Sequence, residues 1–245
     1  MTNKNQLKSL AVMMFSFIAM IFTVAACNND DNPVVNTMTD YSYLRVIHSS
    51  ANAPNVDVYA NGTKVLSNVP YKTGSAYLQV TSGSYNIKVT PAGDTTGVIR
   101  ATLNLTANNK YTVIAPGSVA NLQSNVIAAL DTNITAPMSG KFKLRAVHGF
   151  ETAAVDLHVS TTNNFVPSAA TKVVSSFAFK GITPYLELPA GTYYINLTLP
   201  GGTTKLISGD FMLTGANGNI FTAVASGYNV ITPPSGPSLD GYLDN

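Results

Sequence analysis

Histidine, cysteine and carboxylate side chains supply most catalytic and metal sites, and this chain holds few of them. It has three histidines, one cysteine and 12 acidic residues in 245. Two of the histidines close near-identical strings, Leu44-Arg45-Val46-Ile47-His48 and Leu144-Arg145-Ala146-Val147-His148. Each is followed by a second matched string, Val56-Asp57-Val58 and Val155-Asp156-Leu157. If strand 44–48 pairs with strand 56–60, Arg45 lies diagonal to Asp57, within reach of a long side chain. Arg145 and Asp156 repeat the arrangement. One reading is a ligand pocket at the loop end of the sheet. The other is a hydrogen-bonded histidine at the core edge beside a strand-bracing ion pair. Buried polar groups must be paired for stability alone, so the expectation is structural. Arg45, His48, Asp57, Arg145, His148 and Asp156 hold the fold, with His48 bonded to the backbone of the Ser49–Asn55 loop.

Other chemistries lack their parts. Zinc needs three or four ligands at suitable geometry, and His158 adds only a third scattered histidine. Asp30-Asp31, Asp94 and Asp131 match no calcium loop. There is no Gly-x-Ser-x-Gly elbow, and no glycine-rich run ends in Lys-Ser or Lys-Thr. No catalytic residue, metal or cofactor is expected, and an enzyme is the remote alternative. Asp94-Thr95-Thr96 is similar to an O-glycosylation acceptor of some bacterial envelopes.

Cys27 is a different matter. Residues 1–8 carry Lys4 and Lys8 and no acid, an apolar run covers 10–26, and Val24-Ala25-Ala26 precedes Cys27. This is the charged, apolar and small-residue order of a secretion signal. The cysteine after it resembles the lipobox of bacterial lipoproteins, in which the thiol is lipidated and the chain is cut before it. A retained membrane anchor is the competing reading, but a run broken by Ser16 and Thr23 falls short of the roughly 20 residues of a span. The expected address is the bacterial cell envelope, at the outer membrane, held through acyl chains. Asn28-Asn29-Asp30-Asp31-Asn32-Pro33 reads as a flexible tether, and equally resembles signals that send lipoproteins to the cell surface.

Without residues 1–26 the chain keeps 12 basic and 12 acidic residues. A neutral chain is a poor partner for nucleic acid. Charged residues make up 11%, against roughly 25% in common soluble domains. Asn, Thr, Ser and Gly carry the polarity instead, which suits an exported β-rich protein.

The body is duplicated. Besides the strings above, Tyr77-Leu78-Gln79-Val80 with Gly83-Ser84-Tyr85 recurs as Tyr185-Leu186-Glu187-Leu188 with Gly191-Thr192-Tyr193, and Tyr111-Thr112-Val113 recurs as Phe221-Thr222-Ala223. Tyr85, Ile87 and Val89 alternate with Asn86, Lys88 and Thr90, the period-two signature of half-buried strands. Asn61-Gly62, Ser82-Gly83 and Asn108-Asn109 mark turns. The division is a lipoprotein signal peptide 1–26, a lipidated cysteine and tether 27–40, a first domain 41–135, a second domain 140–232 and a tail 233–245. About seven strands per copy predict an all-β chain of two tandem, immunoglobulin-like antiparallel β-sandwiches. Tyr85 and Tyr193, two residues after a turn glycine, are placed to return their hydroxyls to the backbone as tyrosine corners.

The string Arg45-Val46-Ile47-His48-Ser49-Ser50-Ala51-Asn52-Ala53-Pro54-Asn55-Val56-Asp57-Val58-Tyr59, with Tyr77-Leu78-Gln79-Val80 and Gly83-Ser84-Tyr85, resembles domain-of-unknown-function family 4397. The second copy departs from it, with Gly149-Phe150-Glu151-Thr152-Ala153-Ala154 in place of the first loop. The resemblance implies an exported protein with immunoglobulin-like domains and transfers no site. The expected role is structural or adhesive, with a glycan or protein partner. The alternative is a carbohydrate-binding lipoprotein whose platform draws on Tyr41, Tyr43, Tyr59, Tyr228 and Tyr242.

Overall fold

A computed structural model describes residues 40–131, 134–152, 154–228 and 236–245. Cys27, the signal segment and the tether up to residue 39 lie outside them. Among the described residues no helix is long and apolar enough to cross a membrane.

The first repeat folds as β1 (Tyr41–Ser49), β2 (Val56–Ala60), β3 (Thr63–Val69), β4 (Thr73–Gly74), β5 (Leu78–Thr81), β6 (Gly83–Pro91), β7 (Ile99–Leu105), β8 (Lys110–Pro116) and β9 (Ile127–Leu130), with a helical turn at 119–125. One sheet, which we name I, runs β4-β1-β8-β9, with β5 also on β1. Sheet II runs β3-β2-β6-β7. Asn61 and Gly62 (φ 48° and 84°) make the two-residue turn between β2 and β3. Two positive φ values in succession are what a type I′ hairpin requires, and Asn-Gly adopts them at least cost.

The second repeat gives β10 (Lys141–His148), β11 (Val155–Ser160), β12 (Lys172–Phe177), β13 (Leu186–Pro189), β14 (Gly191–Thr198), β15 (Phe211–Gly215), β16 (Ile220–Ser226) and β17 (Ser238–Leu243). Sheet III runs β13-β10-β16-β17 and sheet IV runs β12-β11-β14-β15. Both repeats are all-β sandwiches. Among the described residues the first has nine strands and the second eight, rather than seven, and the first strand pairs in parallel with a late one, β1 with β8 and β10 with β16. The constant-type immunoglobulin order is ABED over CFG; here the first strand shares a sheet with the last two.

The expected tail contains β17, which pairs with β16 over six residues. Proline and glycine at 233–237 suggest a terminator, but the strand begins only after them.

Alternation builds the two cores. Leu44, Val46, Val58, Ile87 and Val89 meet in the first sandwich, and Phe142, Leu144, Leu157, Ile195 and Leu197 in the second. All of the last six residues of β1, Leu44–Ser49, are buried, so the strand is covered on both faces. Its outer residue Ile47 joins Ile114, Ile127, Val147 and Val224 in a third apolar cluster between sheets I and III. The two sandwiches therefore pack through the outer faces of these sheets, within one compact unit, Met38–Asn245.

Candidate functional site

The polar residues brought together most closely lie between sheets I and III. In β1, Arg45 shares the outer face with Ile47, so its side chain points out of its own sandwich into the junction. Its Nη2 sits 2.6 Å from Oδ1 of Asp244, which follows β17 of the other sandwich. Its Nη1 donates to the Leu243 carbonyl at 3.0 Å, and Nε and Nη2 donate to Thr112 Oγ1 at 3.3 and 3.1 Å. Arg145 mirrors it. Its Nη2 lies 2.5 Å from Oδ1 of Asp131, just beyond β9 of the first sandwich, and its Nε donates to Thr222 Oγ1 at 2.8 Å.

Each carboxylate is held by its own sandwich and compensated by the other. Asp131 accepts from Thr112 Oγ1 at 2.5 Å and from the Tyr77 hydroxyl at 2.8 Å. Asp244 accepts from Thr222 Oγ1 at 2.7 Å and from the Tyr185 hydroxyl at 2.8 Å. The guanidinium carbons of Arg45 and Arg145 stand 4.8 and 4.9 Å from the ring centres of Tyr77 and Tyr185. All four charged side chains are at most 4% exposed. Burial pushes the Tyr77 and Tyr185 phenols well above their ordinary pKa. Burial pulls the Arg145 guanidinium down, but Asp131, Tyr185 and Asp244 raise it further, and it stays charged.

The rim of the junction is also bonded across. Lys72 faces Asp240 at 3.5 Å, Lys180 Nζ donates to the Ser124 carbonyl at 2.9 Å, and Ser49 and Ser226 share a 2.5 Å hydrogen bond. Glu151, in the loop that departs from the first copy, accepts from Ser118 N at 2.6 Å and Asn121 Nδ2 at 2.5 Å. Gly74 lies under the Tyr242 ring, and a Cβ there would be 2.8 Å from it.

The expected Arg45–Asp57 and Arg145–Asp156 pairs do not form. β1 and β2 belong to different sheets, as do β10 and β11, so each arginine and aspartate lie on opposite outer faces. Asp57 instead pairs with Lys64 at 2.6 Å and accepts from the N–H groups of Asn68 and Gly93 at 2.8 and 3.2 Å. The Lys64 ammonium and these donors hold its carboxyl far below the usual range. Asp156 repeats the pattern with Lys172 at 2.8 Å and the N–H groups of Ser176 and Gly201. Burial pushes Asp156 up, but Lys172 and the two amides outweigh it and hold it at about 2. Asn68 and Ser176 have positive φ and sit where β3 and β12 slip register, so each aspartate anchors a bulge.

The histidines differ from one another. His48 Nε2 is 3.1 Å from the Pro54 carbonyl and Nδ1 accepts from Ser50 N at 3.4 Å, a bond to the loop backbone as expected. His148 is fully buried among Phe150, Phe177 and Phe179. Its ring nitrogens face the Phe177–Ala178 backbone without reaching hydrogen-bond geometry. His158 contacts Thr171 and Thr198 at 3.1 and 3.2 Å. Burial lowers the pKa of all three. Tyr85 and Tyr193 return their hydroxyls to the Thr81 and Pro189 carbonyls at 2.9 and 3.0 Å, the tyrosine-corner geometry.

The tyrosines offered for a glycan platform are dispersed. Tyr59 lies under the ammonium groups of Lys64 and Lys88, and Tyr242 is in the junction. Among the described residues no group of three or more His, Cys, Asp or Glu is placed to hold a metal ion. Sequence reasoning missed Thr112, Asp131, Thr222 and Asp244 as partners. A further repeated pair, Leu130-Asp131 and Leu243-Asp244, was the available signal.

The family model described as "Domain of unknown function (DUF4397)" matches residues 42–158, the first sandwich and the first two strands of the second. No curated protein matches the chain. Among solved structures, the TIE protein of Bacillus anthracis is 14% identical, with 76% of this chain and 34% of that one covered and a TM-score of 0.24. A leucine-rich repeat protein of Bacteroides thetaiotaomicron is 16% identical, with 78% and 26% covered and a TM-score of 0.20. A protein described as a candidate cell adhesion protein of Bacteroides fragilis is 10% identical, with 84% and 98% covered and a TM-score of 0.26. The chain spans about a third of the first and a quarter of the second. At these TM-scores the likenesses bear on neither fold nor function.

Proposed function

We propose, from the match of residues 42–158 to the DUF4397 family model, that this chain is a lipid-anchored, non-catalytic module of the bacterial envelope that holds an adhesive or structural surface away from the membrane. The observation that carries the reading is the crossed pairing of Arg45 with Asp244 and Arg145 with Asp131. Four buried charges, each paired with its countercharge in the other sandwich, join the two repeats into one body. Such a body suits presentation of a surface. The side chains best suited to chemistry are engaged in holding it: His48 in its loop, Asp57 and Asp156 in their bulges, Arg45 and Arg145 in the junction. The anchor rests on Val24-Ala25-Ala26-Cys27 after the apolar run.

Two measurements test this. Metabolic labelling with a palmitate analogue should mark the wild type and not Cys27→Ala; label persisting on the variant would remove the anchor. Adhesion of intact cells to immobilised glycans and matrix proteins should then drop in the same variant. Equal adhesion would leave an envelope protein without the adhesive role.

A further inference from the structure

The second sandwich holds an apolar pocket of about 410 Å³, open on one side; the corresponding space in the first measures about 80 Å³. The duplication shows one contribution to it. In sheet I, Val46 and Val113 are cross-strand partners on the inner face. In sheet III the same register position holds Ala146 and Ala223. Four carbons are removed at one point of the wall. Leu157 in place of Val58 lengthens the facing wall without refilling the gap. A close-packed interior leaves few voids larger than a water molecule, so a hollow of this size in one copy of a duplicated core is a departure from ordinary packing.

The cavity opens between two edge strands, β12 of sheet IV and β13 of sheet III. Its rim carries Val173, Ile182 and Leu186, 38–44% exposed. Its polar side chains are already engaged: Thr183 Oγ1 accepts the Ala146 N–H at 2.9 Å and the Tyr185 hydroxyl donates to Asp244. No lining side chain is charged. A ligand inside would therefore find mostly dispersion contacts, with the Thr183 hydroxyl at the edge.

We propose that this cavity is a binding site for a single hydrocarbon chain, the tail of a soluble single-chain amphiphile whose head stays at the rim. The lining excludes a polar or charged guest, because a buried polar group without a partner is costly. Size sets the chain length. A dry apolar cavity of about 150 Å³ takes benzene, so this one takes on the order of a dozen carbons. Each buried methylene adds a favourable transfer out of water, which holds such a chain without a polar anchor.

The test is titration of the full chain with dansyl-undecanoic acid, followed by displacement with dodecanol. Wild type should show one saturable site that dodecanol empties. Ala146→Val with Ala223→Val restores the residues of the first sandwich and should weaken the probe at least tenfold. Leu186→Gln alters only the exposed rim, leaves the core untouched and should weaken it several-fold. Phosphatidylcholine vesicles should leave the probe in place, because the space holds one chain. Equal affinity in wild type and the double-valine variant would overturn the site, as would the absence of saturable binding to wild type. Displacement by vesicles as effective as by dodecanol would overturn the single-chain assignment.

Discussion

His48 and His148 occupy the same position in the two repeats and do different things. His48 is tied to the Pro54 carbonyl and Ser50 amide, so His48→Ala loses a hydrogen bond and leaves a void. A loss of about 1–3 kcal/mol is expected in chemical denaturation. His148 lies unbonded among three phenylalanines, so His148→Leu is expected to be neutral or stabilising. A stability loss there as large as that of His48→Ala would show a bond absent from the described geometry. Together with His158, whose pKa burial also lowers, the two contribute to the acid response. A histidine with a lowered folded pKa binds protons more readily when unfolded. Its contribution is complete above the unfolded value of about 6.5 and is lost as pH falls below it. Wild-type stability should fall between pH 7 and 5, and His148→Leu should flatten that slope. An unchanged slope would assign the response to other groups. The His48 bond was legible in the sequence because its loop partner is close in the chain. The solitude of His148 was not, since Phe177 and Phe179 come from a distant segment.

At the scale of elements, the turn signals and alternation were enough to read the sandwiches. Tyr85 and Tyr193 begin strands two residues after glycine, and both close the expected corner. Tyr193→Phe should cost about 0.5–1.5 kcal/mol, measured by thermal melting; no shift would leave the corner as packing alone. The Arg45–Asp57 pairing failed for an equally specific reason. Alternation says which residues share a face of one strand, but not which sheet the next strand enters. A short loop after β1 was compatible with a hairpin, and the chain instead crosses to sheet II. β17 was hidden by the prolines and glycine before it. Apolar Ile47 on the face of β1 that also carries Arg45 was the remaining clue, because a strand covered on both faces loses its alternation.

For the whole molecule, the junction decides stability. Asp244→Asn leaves Arg45 buried without its countercharge, and removing one partner of such a pair costs about 3–5 kcal/mol. Replacing both, as Arg45→Met with Asp244→Leu, should recover most of that loss. A double variant no more stable than Asp244→Asn would show that the Thr222 and Tyr185 contacts dominate. The fragment 41–135 has its own core and should fold, with β-type circular dichroism. It exposes Ile47, Ile114 and Ile127, however, and should melt below the intact chain. Equal melting temperatures would mean that the junction contributes nothing.

The crossed pairing also sets an order of events. Arg45 is separated from Leu243, beside its countercharge, by 198 positions. A chain delivered from its N-terminal end, through a ribosome or an export channel, presents the arginine long before the aspartate. Contacts so distant in sequence form late. The first sandwich can assemble its own core during that interval, but its outer arginine stays in water. Closure of the two halves waits for the arrival of Asp244, so the junction works as a check made at the end of delivery that both repeats have come through and folded in register.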